Sequence, residues 1–213
     1  MVDKKKLKKC RLYVITAPRP DRRYEAMVRA IVAGGADIVQ LRDKILPDAE
    51  LSRVARRLGE ICHRKGVLFI VNDRADIARI SGADGIHLGP DDIGIKEARS
   101  ILGPQKIIGY SVSGDWRLAK KAARDGADYI SVGAIWKTPT KPEKLPVGLS
   151  AITRIKKMVK IPLVAIGGIN KKNIQKVFAA GADMAAVVRA ASMARDIRRA
   201  VRQLKKAIKT RDE

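Results

Sequence analysis

The sequence predicts an α/β chain closed into a single (β/α)8 barrel, the TIM-barrel architecture, over residues 1–213, with a basic extension at about 1–10. Short runs rich in β-branched residues alternate with longer stretches of helical period, the pattern of parallel βαβ units. Eight such units fit within the chain, which is the number a closed parallel barrel requires. The phrase Gly-Ala-Asp recurs at 35–37, 82–84, 126–128 and 181–183, each time between a helix and a strand. A glycine there stops the preceding helix in a left-handed conformation. A doubly wound open sheet fits less well, because no G-x-G-x-x-G turn follows the first strand.

Taken in order, the predicted strands fall at 12–16, 37–41, 68–72, 85–88, 107–111, 129–134, 163–166 and 185–188. The helical patterns between them lie near 22–33, 48–65, 74–81, 95–102, 115–125, 148–158, 172–180 and 193–209. In the last of these, Ile197, Val201, Leu204 and Ile208 recur at helical spacing among Arg195, Arg198, Arg199, Arg202, Lys205 and Lys206. That reads as a docked amphipathic helix with a solvated basic face.

The composition suits one domain with a full core: 213 residues, of which 46% are hydrophobic. No apolar run approaches the roughly 20 residues of a membrane span, and no signal-peptide core follows the basic start. Cys10 and Cys62 have no metal spacing, so a reducing cytoplasm is the expected compartment. The net charge of +23 implies attraction to phosphates or polyanions. Specific nucleic-acid binding is not expected, because an aromatic content of 4% leaves few stacking platforms.

Candidate functional residues gather where a parallel barrel carries its site, at the carboxyl ends of the strands. Period-two alternation through 40–44 puts Gln40, Arg42 and Lys44 on one side. Two cations and an amide suit a diphosphate carrying a polar ring; the alternative is an ordinary charged loop. Asp73 and Asp92 follow neighbouring strands, placed either to share a hard cation or to cap the helices after them. His87 reads as a structural residue rather than a metal ligand. Strand five ends at Ser111, and strand six leads into Thr138-Pro139-Thr140-Lys141, a donor-rich loop or a plain proline-rich connection. Gly167-Gly168 after strand seven, and Val188-Arg189 after strand eight, form a second anion-friendly region.

Five segments in this order resemble the thiamine-phosphate synthase family: Gln40-Leu41-Arg42-Asp43-Lys44, Val71-Asn72-Asp73-Arg74, Gly85-Ile86-His87-Leu88-Gly89, Thr138-Pro139-Thr140-Lys141 and Ala165-Ile166-Gly167-Gly168-Ile169. The match spans residues 12 to about 190. The resemblance implies a magnesium-dependent transferase that joins a pyrimidine diphosphate to a thiazole phosphate and releases pyrophosphate. It assigns Gln40, Arg42, Lys44 and Asn72 to the pyrimidine diphosphate, and Asp73 and Asp92 to Mg2+. Ser111 then lies near the reacting pyrophosphate and Lys141 on the diphosphate, both in catalytic roles. Thr138, Thr140, Gly168, Val188 and Arg189 fall to the thiazole phosphate. The implied chemistry is dissociative, and the attacking thiazole nitrogen carries no proton that a base must remove. The partners implied are small phosphate and diphosphate substrates; a homo-oligomer is compatible with the sequence.

Two positions depart from the family pattern. Arg189 stands where the family usually has serine, and Val112-Ser113 follow Ser111 where it often has Thr-His. Two rival functions remain at this point. One is the related thiazole tautomerase, which needs no diphosphate site and so leaves Arg42, Lys44, Asp73, Asp92 and Lys141 unexplained. The other is a basic nucleic-acid-binding protein on a retained barrel.

Overall fold

The computed structural model describes residues 4–21, 23–140, 142–143 and 145–208. Eight parallel strands pair in chain order and close, β8 hydrogen-bonding back to β1. The strands are β1 (Leu12–Ile15), β2 (Ile38–Leu41), β3 (Leu68–Asn72) and β4 (Gly85–Leu88), followed by β5 (Ile107–Ser113), β6 (Tyr129–Val132), β7 (Leu163–Ile166) and β8 (Met184–Val187). Alternating helices surround them: α1 (Tyr24–Ala33), α2 (Asp48–His63), α3 (Ala75–Ile80), α4 (Ile95–Leu102), α5 (Trp116–Arg124), α6 (Gly148–Lys156) and α7 (Ile174–Ala179). The predicted (β/α)8 barrel is therefore the observed fold.

The differences from the predicted elements are local. The expected helix at 193–209 is the shorter α9 (Ile197–Lys206), which Asp196 begins by accepting the Arg199 N–H at 2.9 Å, and a short helix that was not expected, α8 (Arg189–Ser192), precedes it. Lys209 lies outside the described residues. Strand β5 runs two residues past Ser111, with its register shifting between Ser111 and Ser113. Residues Lys4–Lys9 form a short 3-10 helix with Leu7 buried, so this part of the expected basic extension is packed. Helix α9 docks through Ile197, Val201 and Leu204 and turns Arg198, Arg199 and Arg202 outward, as its periodicity indicates.

Two apolar clusters follow from strand alternation. Tyr13, Ile15, Ile38, Ile70, Tyr129 and Val164 fill the barrel interior together with Leu7 and Cys10 from the amino-terminal end. Leu12, Val14, Val39, Phe69, Ile86 and Ile130 point outward against the helices. With both faces covered, the strands have little place for polar side chains except at their ends.

The Gly-Ala-Asp phrase has a second role that its reading as a helix stop does not contain. Each aspartate lies at the amino-terminal rim and accepts a backbone N–H from the start of the preceding strand. Asp37 binds Arg11 and Leu12, both at 2.9 Å; Asp84 binds Phe69 at 2.7 Å; Asp128 binds Ile108 at 2.8 Å; Asp183 binds Leu163 at 2.8 Å. A basic or imidazole side chain completes each carboxyl: Lys205 on Asp37, His63 on Asp84, Arg99 on Asp128 and Lys156 on Asp183. Four quarter-barrels thus use the same clamp. Replacing Asp128 with alanine strands the Ile108 N–H and leaves Arg99 without this partner. We expect Asp128→Ala to lower unfolding free energy by about 1–3 kcal/mol, measured by urea titration, with substrate KM values unchanged.

Candidate active site

A cavity of about 490 Å³ opens at the carboxyl ends of the strands. Its lining includes Gln40, Arg42, Lys44, Asn72, Asp73, Asp92, Ser111, Thr138, Thr140, Gly168, Val188 and Arg189. Closure of the sheet therefore brings together candidates spread over nearly 150 residues of chain. Lys141, the other site residue predicted from the sequence, lies outside the described residues.

The β2 end sets the cationic side. The Arg42 N–H donates to Thr16 Oγ1 at 3.0 Å, and the Thr16 N–H donates to the Gln40 carbonyl at 2.9 Å, fixing the strand exit. Between the inward Arg42 and Lys44, Asp43 turns away. It accepts from the Tyr24 hydroxyl at 2.6 Å and from the Ile45 and Leu46 N–H groups at 2.7 and 2.8 Å. Asp43 thus serves as the turn's internal anchor, which holds its charged neighbours toward the cavity.

Asp73 has a positive φ of 61°, uncommon for a residue with a Cβ. The Arg74 N–H reaches back to the Asn72 carbonyl at 2.7 Å, closing a three-residue turn around it, while the Asp73 N–H donates to the His87 carbonyl at 2.9 Å. Arg74 secures the turn from outside by pairing with Asp76 at 2.6 Å and with Asp48 at the start of α2. Such conformations persist where surrounding structure over-determines them, most often at functional sites. The Asp73 side chain does not cap α3; its carboxylate lies 3.2 Å from Lys44 Nζ.

Asp92 accepts the Gly89 N–H at 2.7 Å, a local loop contact rather than a cap on α4. Burial raises its pKa above the ordinary aspartate value; the Gly89 bond opposes the shift, and the Asp73 carboxyl beside it adds to it. Two carboxyls brought together beside one lysine suit a hard divalent cation, with the remaining positions filled by substrate oxygens and water. Among the described residues no cluster of three or more His, Cys, Asp or Glu offers a fuller shell.

On the opposite side, Gly167 and Gly168 have φ values of 100° and 69°. Their lack of side chains is also required by close packing. A Cβ on Gly167 would lie 2.5 Å from Ala134 Cα, and one on Gly168 would lie 2.7 Å from Trp136 Cβ. The paired glycines therefore seat the loop after β6, which carries Thr138 and Thr140, against the turn after β7. Asn173 Nδ2 donates to the Gly168 carbonyl at 3.0 Å and braces that turn. Arg189 begins α8, is exposed, and has no ion pair among the described residues.

Several lining residues escaped the sequence reading. Ser131 is 5% exposed in the middle of β6 and lies 3.1 Å from Ser111 Oγ. A hydroxyl inside an otherwise apolar strand was the signal for it. His87, expected as a structural residue at the strand end, also lines the cavity, and its ring reaches Ser111 Oγ at 3.0 Å. Glu143 and Ser113 also line it.

A carboxyl whose pKa is raised on folding contributes stability below its unfolded pKa and loses it as pH rises through the folded value. In metal-free solution Asp92→Asn is therefore expected to unfold at a higher temperature than the parent at pH 7. The difference should disappear as pH falls below about 4, the ordinary aspartate range. Thermal melts across that interval read the effect.

Comparison with known proteins finds relatives along most of the chain. A curated thiamine-phosphate synthase from Moorella thermoacetica is 45% identical over 183 residues, covering 85% of this chain and 87% of its own length. One from Gloeobacter violaceus is 42% identical over 191 residues, 90% of this chain, but this chain spans only 55% of that relative's length. The solved structure of a thiamine phosphate pyrophosphorylase from Pyrococcus furiosus superposes with a TM-score of 0.87 at 38% identity, covering 94% of this chain and 96% of the other. The family model described as thiamine monophosphate synthase matches residues 12–191, and the chain belongs to that family.

Proposed function

We propose that this chain is a transferase that condenses 4-amino-2-methyl-5-(diphosphooxymethyl)pyrimidine with a thiazole ethyl phosphate, or its carboxylated form, giving thiamine phosphate and pyrophosphate. The observation that carries the reading is one cavity with two anion-holding sides. Arg42 and Lys44 stand on one side; Gly168, Val188 and Arg189 stand on the other, with Thr138 and Thr140 on the loop packed against the Gly168 turn. An isomerase handling a thiazole phosphate alone has no use for the first side.

In this reading Arg42 and Lys44 hold the diphosphate and Gln40 and Asn72 receive the pyrimidine ring. Charge-assisted contacts suit an oxygen-rich leaving group whose negative charge grows as the carbon–oxygen bond breaks. Ser111 donates to the departing pyrophosphate from the barrel's upper layer. Asp73 and Asp92 would hold magnesium, which supplies further neutralisation of that charge when bound. The second side fixes the thiazole phosphate so that its ring nitrogen faces the pyrimidine methylene carbon. Such prearrangement replaces an encounter between two free substrates. No general base is needed. A family lysine position, Lys141, adds to the diphosphate contacts by resemblance.

The decisive assay combines the purified protein with both substrates and magnesium, and follows thiamine phosphate and pyrophosphate together. Equimolar formation of both, lost on chelation, is the expected result; formation of neither would remove this function. Arg42→Ala is expected to raise the KM of the pyrimidine diphosphate by about tenfold or more, the worth of a hydrogen bond between charged groups. The KM of the thiazole phosphate should not change. Arg189 stands where the family usually has a smaller hydroxyl side chain, and we assign it a grip on the thiazole phosphate. Arg189→Ser is then expected to weaken that substrate by about 1.5–3 kcal/mol in calorimetry. Unchanged affinity would mean an arginine turned to solvent, and tighter binding an arginine that obstructs the site.

A further inference from the structure

Below the cavity floor a chain of side-chain hydrogen bonds crosses the barrel interior. Gln40 Nε2 donates to Tyr13 Oη at 2.7 Å, and Tyr13 Oη lies 2.9 Å from Tyr129 Oη. Tyr129 Oη lies 2.9 Å from His87 Nδ1, and His87 Nε2 lies 3.0 Å from Ser111 Oγ. The His87 and Tyr129 rings also stack, with centroids 5.5 Å apart. Both ends of the chain, Gln40 and Ser111, line the cavity; both phenols are buried.

Proton counting gives this chain a direction. Burial pushes both phenol pKa values far above the ordinary tyrosine value, so each oxygen keeps its single hydrogen. Tyr13 already accepts from Gln40, so its own hydrogen goes to Tyr129. Tyr129 then has His87 Nδ1 as its acceptor. That nitrogen must be bare, which puts the imidazole proton on Nε2, facing Ser111. Ser111 accepts it, and its own hydrogen has Ser131 Oγ, at 3.1 Å, or a ligand in the cavity as acceptor. Reversal would require Gln40 to turn its amide, presenting Oε1 to Tyr13, and Ser111, or Ser131 from 3.4 Å, to donate its hydrogen to His87.

We infer that Tyr13, Tyr129 and His87 form a directional relay that ties the amide orientation of Gln40 to the hydroxyl orientation of Ser111, and that all three are positioning residues for the pyrimidine diphosphate. In the observed direction Gln40 turns Oε1 to the cavity, an acceptor for an amino-substituted ring. At the far end Ser111 offers a donor, which an anionic leaving group needs. The two ends of one substrate thus select the same direction, and each reinforces the other through buried bonds. The inference rests on the proposed function only for the identity of the substrate.

The test reads imidazole nitrogens of the ligand-free protein by 15N-edited NMR. The chain has two histidines, and His63, paired with Asp84 at 3.0 Å, is assigned by its loss in His63→Gln. The relay requires His87 to carry its proton on Nε2. Tyr129→Phe removes the donor to Nδ1 and should produce a mixture of tautomers. Tyr13→Phe leaves that donor in place, so the tautomer should persist while Gln40 loses its acceptor. In Tyr13→Phe the pyrimidine diphosphate KM should rise about five- to tenfold, the worth of one hydrogen bond, with the thiazole phosphate KM unchanged. A proton on Nδ1 in the parent protein would overturn the relay. So would a tautomer indifferent to Tyr129→Phe, or an equal rise in both KM values for Tyr13→Phe. The NMR result stands whether or not the protein forms thiamine phosphate, so failure of the functional reading is recognised separately.

Discussion

Closure of the sheet is the constraint on which everything else depends. β8 pairs with β1 in the register Leu12↔Ala185, Tyr13↔Ala186 and Val14↔Val187, and a slip at any other seam would break that match. The four rim aspartates hold alternate seams. Each carboxyl takes a backbone N–H from the strand before its own, and a helix side chain covers it. The clamp satisfies donors that the parallel ladder leaves unpaired at strand starts. It joins strand to strand and helix to sheet in one contact, and it occupies the rim opposite the cavity. Stability and chemistry are thereby placed at different ends of the molecule, so loops at the carboxyl end can diverge without loosening the register.

The same closure explains why the site has both a rigid floor and a strained wall. Inward residues of alternating strands meet in layers. The end away from the cavity is apolar, while toward the cavity Gln40, Tyr13, Tyr129, His87, Ser111 and Ser131 form a hydrogen-bonded polar region spanning more than one layer. A buried polar region is tolerable only when its members are satisfied, and among the described residues no buried side-chain nitrogen or oxygen lacks a partner. Above that region the strain at Asp73 is held by Arg74, which ties the starts of α2 and α3 together. Asp73 thus reaches the cavity lining from a positive-φ conformation that its surrounding contacts hold.

Much of this was legible in the chain. The strand cores read correctly because both-face burial leaves continuous apolar runs, and Asp73, Asp92, Arg42 and Lys44 stood out as charges at the ends of such runs. The glycine-aspartate phrases were visible as repeats, but the clamp was not, since a carboxyl's partner on the preceding strand depends on three-dimensional register. The short α8 is not legible because four residues are too few to show a helical period, and α9 starts later than its pattern suggests because Asp196 caps it. His87 and the tyrosines could be placed on their strands, yet their mutual bonds join β1, β2, β4, β5 and β6, a relation that period alone does not carry. Gly167 and Gly168 were read as room for a phosphate; the close contacts with Ala134 and Trp136 show that packing requires them as well.

The central claim is that the cavity has two separate anion-binding sides that are occupied together. Calorimetry tests it without turnover. Inorganic pyrophosphate with magnesium is titrated first, and the thiazole phosphate is then titrated into the saturated protein. The account predicts that the second ligand binds one-to-one with an affinity equal to or greater than that for the free protein. Mutual exclusion of the two ligands would mean a single anion site and would contradict it.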